Sequence, residues 1–147
     1  MSRSIAFLIA IVAILSSGTA NAATRQPSGP CDGHASIVKP SMGYDAVAKD
    51  VQQLIRCASA RFNISAPRML CTADRESSFW PWADSGSSKG VMQQQATYWP
   101  GRVLAYWPRA WAPNSYPPSY FSARANIIVS ARMIRAGGWS PWSGGCV

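Results

Sequence analysis

At 147 residues, with a formal net charge of +8, the chain has room for one domain with its own core and not for two. Its Lys and Arg residues are scattered, with no run of five or six. That argues against a dedicated nucleic-acid arm and leaves anionic polymers, lipid surfaces or plain solubility as uses for the charge. Four cysteines, one histidine (His34) and no C-x-x-C pair exclude the usual zinc-ligand spacing, so neither a metal nor a cofactor is expected.

The first element in chain order is an export signal. Arg3 precedes the apolar run Ile5 to Leu15, and Ala20-Asn21-Ala22 matches the small-residue pattern read by signal peptidase. The run falls short of the roughly 20 residues a membrane span needs, so residues 1–22 read as a cleaved signal peptide rather than an anchor. Loss of Arg3 takes the formal charge from +8 to +7. The mature chain is expected to be secreted, without stable membrane insertion. An even number of cysteines in an exported chain implies two disulfides. Of the three connectivities, Cys57–Cys71, joining two successive helices, with Cys31–Cys146, tying the chain ends, is preferred.

Residues 23–43, rich in Pro, Gly, Ser and Thr, form an irregular lead-in that holds His34. From Tyr44 the apolar positions Val47, Val51, Leu54, Ile55, Ala58 and Phe62 recur at helical steps. The spacing predicts a long amphipathic helix. After Asn63-Ile64-Ser65, Ser65 caps a second helix with Pro67 in its first turn, over about Ala66 to Phe79. Its stripe is Met69, Leu70, Ala73, Glu76 and Ser77, so a carboxylate falls on the packing face. Residues 82–89 read as a polar loop, Gly90 to about Tyr98 as a short third helix stopped before Pro100, and 101–118 as loop with at most a short helix. The last helix covers about Ser119 to Ala136, with stripe Tyr120, Ile127, Ala131 and Ile134 and a left-handed stop at Gly137-Gly138. The fold class expected is mainly α, a single domain with disulfides.

Glu76 is the only glutamate in the chain, and Phe79, Trp80 and Trp82 follow it closely. Apolar surroundings disfavour the ionised form and raise a carboxyl's pKa, which suits a general acid near neutral pH. The plainer reading is a helix-end glutamate that reaches solvent or pairs with Arg75 or Arg68. The surrounding text favours chemistry. Glu76-Ser77-Ser78-Phe79-Trp80-Pro81, Ala83-Asp84-Ser85 and Gly90-Val91-Met92-Gln93 together resemble the signature of the soluble lytic transglycosylase and goose-type lysozyme superfamily. The stretch Asn126 to Trp142 resembles the closing helix and Gly-Trp-x-x-Trp segment of actinobacterial lysozyme-like wall enzymes. The resemblance spans about residues 44–146. Trp80 departs from it, standing where the family usually has asparagine, as does Gln95 where an apolar methionine is common, and the Y-N-A-G segment of the larger transglycosylases is absent.

What the resemblance implies is a lysozyme-like transglycosylase domain over 44–147, acting on the β-1,4 bond between N-acetylmuramic acid and N-acetylglucosamine. Glu76 would be the catalytic acid and base. Ser85 would hydrogen-bond near it or to an N-acetyl group, Gly90 would permit close packing, and Met92 and Gln93 would line the groove, with core packing an equal reading for Met92. Tyr98 and Trp99 join them as candidate sugar contacts. All seven tryptophans lie between Trp80 and Trp142, and their default use is burial; Trp99, Trp107 and Trp111 are the better candidates to touch glycan. Asp84 would orient water if the enzyme hydrolyses. Otherwise the single-carboxylate route, ending in a 1,6-anhydro-muramyl product, applies and is slightly favoured. Peptidoglycan strands would be the partner, the protein would be a cell-wall-associated monomer, and a non-catalytic wall-binding module of the same fold is the alternative.

Overall fold

The computed structural model describes Cys31, residues 41–108 and residues 117–146; residues 1–22, expected to be a signal peptide, His34 and Trp111 lie outside these described residues. The long amphipathic helix forms as its stripe predicts, α1 over Tyr44–Phe62, ended by Asn63 in a left-handed conformation (φ 52°). Val47, Val51, Leu54, Ile55 and Ala58 face the core, with at most 1 % of their surface exposed. Tyr44 departs from that stripe: it is 49 % exposed. The second helix, α2 over Ala66–Ser77, starts where Ser65 Oγ accepts a hydrogen bond from Arg68 N at 3.3 Å, with Pro67 in the first turn. It stops two residues earlier than expected, because Ser78 (φ 50°) and Phe79 (φ 62°) both turn left-handed.

No third helix follows at Gly90. Ser88–Lys89 (β1) and Gln94–Gln95 (β2) pair antiparallel, Ser88 opposite Gln95 and Lys89 opposite Gln94. The turn between them needs positive φ at Gly90 (77°) and Gln93 (44°), which no α-helix tolerates. Gly90 also sits where a Cβ would meet Tyr120 O at 2.3 Å and Asn126 Nδ2 at 2.5 Å, so the close packing expected of it is present. A 3-10 turn, Ala96–Tyr98, leads into α3 over Trp99–Tyr106. Pro100 therefore opens a helix instead of stopping one, as its fixed φ and missing N–H allow in a first turn.

The last helix, α4 over Ala123–Gly137, begins where Ser122 Oγ accepts from Ala125 N and ends at Gly138 (φ 78°). Tyr120, expected on its stripe, precedes it. α1 packs against both α2 and α4, and α3 against α4. Between them lie Met69, Ala73, Val91, Met92, Val103, Ile127, Val129 and Ala131, all fully buried. Burying each larger aliphatic side chain contributes about 1.5–3 kcal/mol. The fold is mainly α and carries two disulfides.

The disulfides pair Cys31 with Cys57 and Cys71 with Cys146, not Cys57 with Cys71 as preferred from the sequence. The reason is helix phase. α1 and α2 meet where Ser59 Oγ reaches Met69 Sδ at 3.6 Å. Cys57 and Cys71 each lie two residues from those contacts, about 200° around their helices, and so face away from the shared interface. Cys71, on the outer side of α2, finds the C-terminal segment there instead. Among the described residues no helix is long and apolar enough to cross a membrane.

Candidate active site

Helical spacing puts Thr72, Arg75 and Glu76 on one face of the last turns of α2. The C-terminal segment lies opposite, where the 3-10 helix Ser140–Trp142 is followed by Gly144 and Cys146. Together Thr72, Arg75, Glu76, Trp142, Gly144 and Cys146 line a small, partly open pocket. The Cys71–Cys146 disulfide joins the two walls directly. Each wall is also tied to the turn between β1 and β2: Ser77 Oγ donates to Val91 O at 2.8 Å, and Trp142 Nε1 donates to Met92 O at 2.9 Å.

That turn is held in place by Asn126, fully buried in α4 and satisfied on both sides of its amide. Its Oδ1 accepts from Met92 N at 2.7 Å, and its Nδ2 donates to Lys89 O at 3.1 Å and Tyr120 O at 3.0 Å. Gln94 is buried beside it, accepting from Arg102 at 2.6 Å and donating to Ser130 Oγ at 2.6 Å. Buried polar groups so fully paired fix one geometry, because any displacement strands several of them.

Glu76 itself is exposed, but the protein around it removes enough hydration to push its carboxyl above the usual value of 4.5; Arg75 beside it works in the opposite direction. The chain leaves the glutamate under strain. Of the four non-glycine residues with positive φ among the described residues, Ser78 and Phe79 stand two and three positions after Glu76 and Gln93 sits in the turn that holds both walls. Each such conformation costs of order 1–3 kcal/mol and is retained where a site demands a particular geometry. Tyr44, displaced from the core, braces this exit: its hydroxyl donates to Ser78 O at 2.6 Å, and its ring lies 5.8 Å from that of Trp80, which meets Trp82 edge-on at 5.0 Å.

The other expected site residues are not brought to the Glu76 pocket. Ser85 Oγ donates to Gln93 Oε1 at 2.7 Å, and Gln93 Nε2 donates to Gly90 O at 3.0 Å, so both serve the hairpin. Met92 is core, fully buried. Trp99, 2 % exposed with Nε1 donating to Pro118 O at 2.6 Å, is core too and has no free face for a sugar. Tyr98 is 59 % exposed, with the Arg102 guanidinium 5.6 Å from its ring. Trp107 lies under the Arg124 guanidinium at 5.3 Å. Asp84 accepts from Lys89 Nζ in an ion pair and from Gly86 N at 2.8 Å; the Lys89 bond first, then the Gly86 bond, hold its carboxyl below the usual range. It is occupied away from Glu76.

Conversely, sequence reasoning passed over Thr72, although it stands one helical turn before Glu76, and weighed Arg75 only as an ion-pair partner of Glu76. It also passed over Trp142 as a pocket residue, although Trp142 lies in the Gly-Trp-x-x-Trp segment. Among the described residues no group of three or more His, Cys, Asp and Glu side chains could hold a metal ion. The pocket presents a carboxyl whose pKa is raised, a guanidinium and an indole to a polar ligand. Set against models of known protein families and against curated proteins, the chain matches none.

Proposed function

We propose that the protein is a secreted peptidoglycan-cleaving muramidase of the lysozyme-like superfamily, working as a lytic transglycosylase on the β-1,4 bond between N-acetylmuramic acid and N-acetylglucosamine. The observation that carries this reading is the sole glutamate, at the end of a disulfide-tethered helix, lining a pocket with its carboxyl pKa raised by lost hydration. In the reaction proposed, protonated Glu76 gives its proton to the glycosidic oxygen as the C1–O bond breaks. The muramyl acetamido oxygen supports the cationic carbon. The Glu76 carboxylate then takes the proton of the muramyl C6 hydroxyl as that oxygen bonds to C1, which closes the 1,6-anhydro ring and restores the acid.

The engagement of Asp84 with Lys89 and Gly86 supports this single-carboxylate route over hydrolysis, which normally needs a second carboxylate to activate water. Two disulfides accord with export to an oxidising compartment. Digestion of purified peptidoglycan followed by mass spectrometry tests the assignment. The wild type is expected to release muropeptides lighter by one water, and Glu76→Gln to lower the rate by about 10²–10⁴. Reducing-end products would make the protein a hydrolase. Binding without any cleavage would make it a wall-binding module, and undiminished activity of Glu76→Gln would remove the glutamate from the chemistry.

A further inference from the structure

Arg75 is the second charged group of the Glu76 pocket, and no carboxylate of the described residues neutralises it by direct contact. Its place is made by the opposite wall. A Cβ at Gly145 would lie 2.5 Å from Arg75 Nη1, 3.4 Å from Cζ and 3.7 Å from Nη2. The guanidinium thus rests against backbone that has no side chain, at a residue with φ of +103° that favours glycine. Resting there, it is held beside the pocket while remaining exposed enough to donate hydrogen bonds. A planar guanidinium with free donors matches a carboxylate in shape as well as charge.

We propose that Arg75 recognises a carboxylate on the glycan occupying the Glu76 pocket, so that the protein favours wall material with a free carboxylate next to the scissile sugar. The inference rests on the muramidase reading and adds its substrate preference. Such a carboxylate has two sources: the lactyl group of a muramic acid that has lost its stem peptide, or an acid of the stem peptide itself. An anion at Arg75 would also offset the one charge that favours ionised Glu76, so a carboxylate-bearing ligand would help keep the acid protonated.

The test uses glycan strands with intact stem peptides and strands freed of them by an amidase, each with carboxylates free or converted to methylamides. Binding is measured by titration with the Glu76→Gln protein, with and without Arg75→Gln, and cleavage with wild type, Arg75→Gln and Arg75→Lys. The expected preference for free carboxylates is about fivefold, the size of one exposed charge pair. It should fall to about one in Arg75→Gln, in the binding titration as well as in kcat/KM, and survive in part in Arg75→Lys. The strand type that shows the preference names its source. A preference retained by Arg75→Gln, or absent from the wild type, overturns the inference while leaving any cleavage, and so the muramidase reading, intact. Arg75-dependent preference in binding without cleavage by the wild type leaves the inference standing and removes the muramidase reading. Absence of both binding and cleavage removes both.

Discussion

Glu76 feels two opposed influences, lost hydration that favours its neutral form and the Arg75 charge that favours its ionised one, and the first is larger. A carboxyl whose folded pKa lies above its unfolded value binds its proton more tightly in the native state. Its contribution to stability is therefore fully present below the unfolded value and is lost as the pH rises through the folded one. Glu76→Gln cannot ionise, so it should melt at a higher temperature than wild type at pH 7 and lose that advantage at pH 4. Solvent screening of this exposed group keeps the gain under about 1 kcal/mol. Thermal unfolding of both proteins at the two pH values checks this, and a melting difference independent of pH would mean an ordinarily hydrated glutamate. The same sign applies to the chemistry: as an acid, Glu76 should lose activity as the pH rises through its folded pKa.

At the scale of elements, the hairpin between α2 and α3 decides where the pocket walls stand. Gly90→Ala would drive a methyl group onto the Tyr120 carbonyl and the Asn126 amide and hold alanine at φ 77°, so it should destabilise the protein by at least about 2 kcal/mol, read as a lower denaturant midpoint. This hairpin is also where sequence reasoning failed. Val91-Met92-Gln93-Gln94-Gln95 carries good helix formers, and what overrides them is Asn126, thirty-four positions after Met92 and invisible to any local pattern. α1, α2 and α4 were legible because each declares itself locally, by an apolar stripe and by stops or caps such as Ser65 and Gly138. Glu76 was legible only as the chain's sole glutamate: the stripe expected to carry it buries Met69 and Ala73, with Thr72 beside them, while Glu76 itself is exposed. The facing wall was not, since Trp142 and Cys146 reach it only through the folded chain.

Across the whole molecule, the two disulfides close loops of unequal length, with separations of 26 for Cys31–Cys57 and 75 for Cys71–Cys146. Loop-closure entropy assigns about 3.5 kcal/mol to the first and about 4.5 kcal/mol to the second. The pair Cys71→Ser with Cys146→Ser should lose that stability and also, under the proposed function, most of the peptidoglycan cleavage at temperatures where circular dichroism still reports a folded protein. The pair Cys31→Ser with Cys57→Ser should lose stability alone. Equal activity in the two double variants would show that the C-terminal wall does not shape the site. One further consequence follows from the adjacent carbonyls of Val91 and Met92, one gripped from α2 by Ser77 and the other from the C-terminal segment by Trp142. Both banks of the cleft hang from a single buried dipeptide, so neither can swing without dragging the other. A ligand meets a gap whose width was set during folding, and selects itself by fitting rather than by inducing closure.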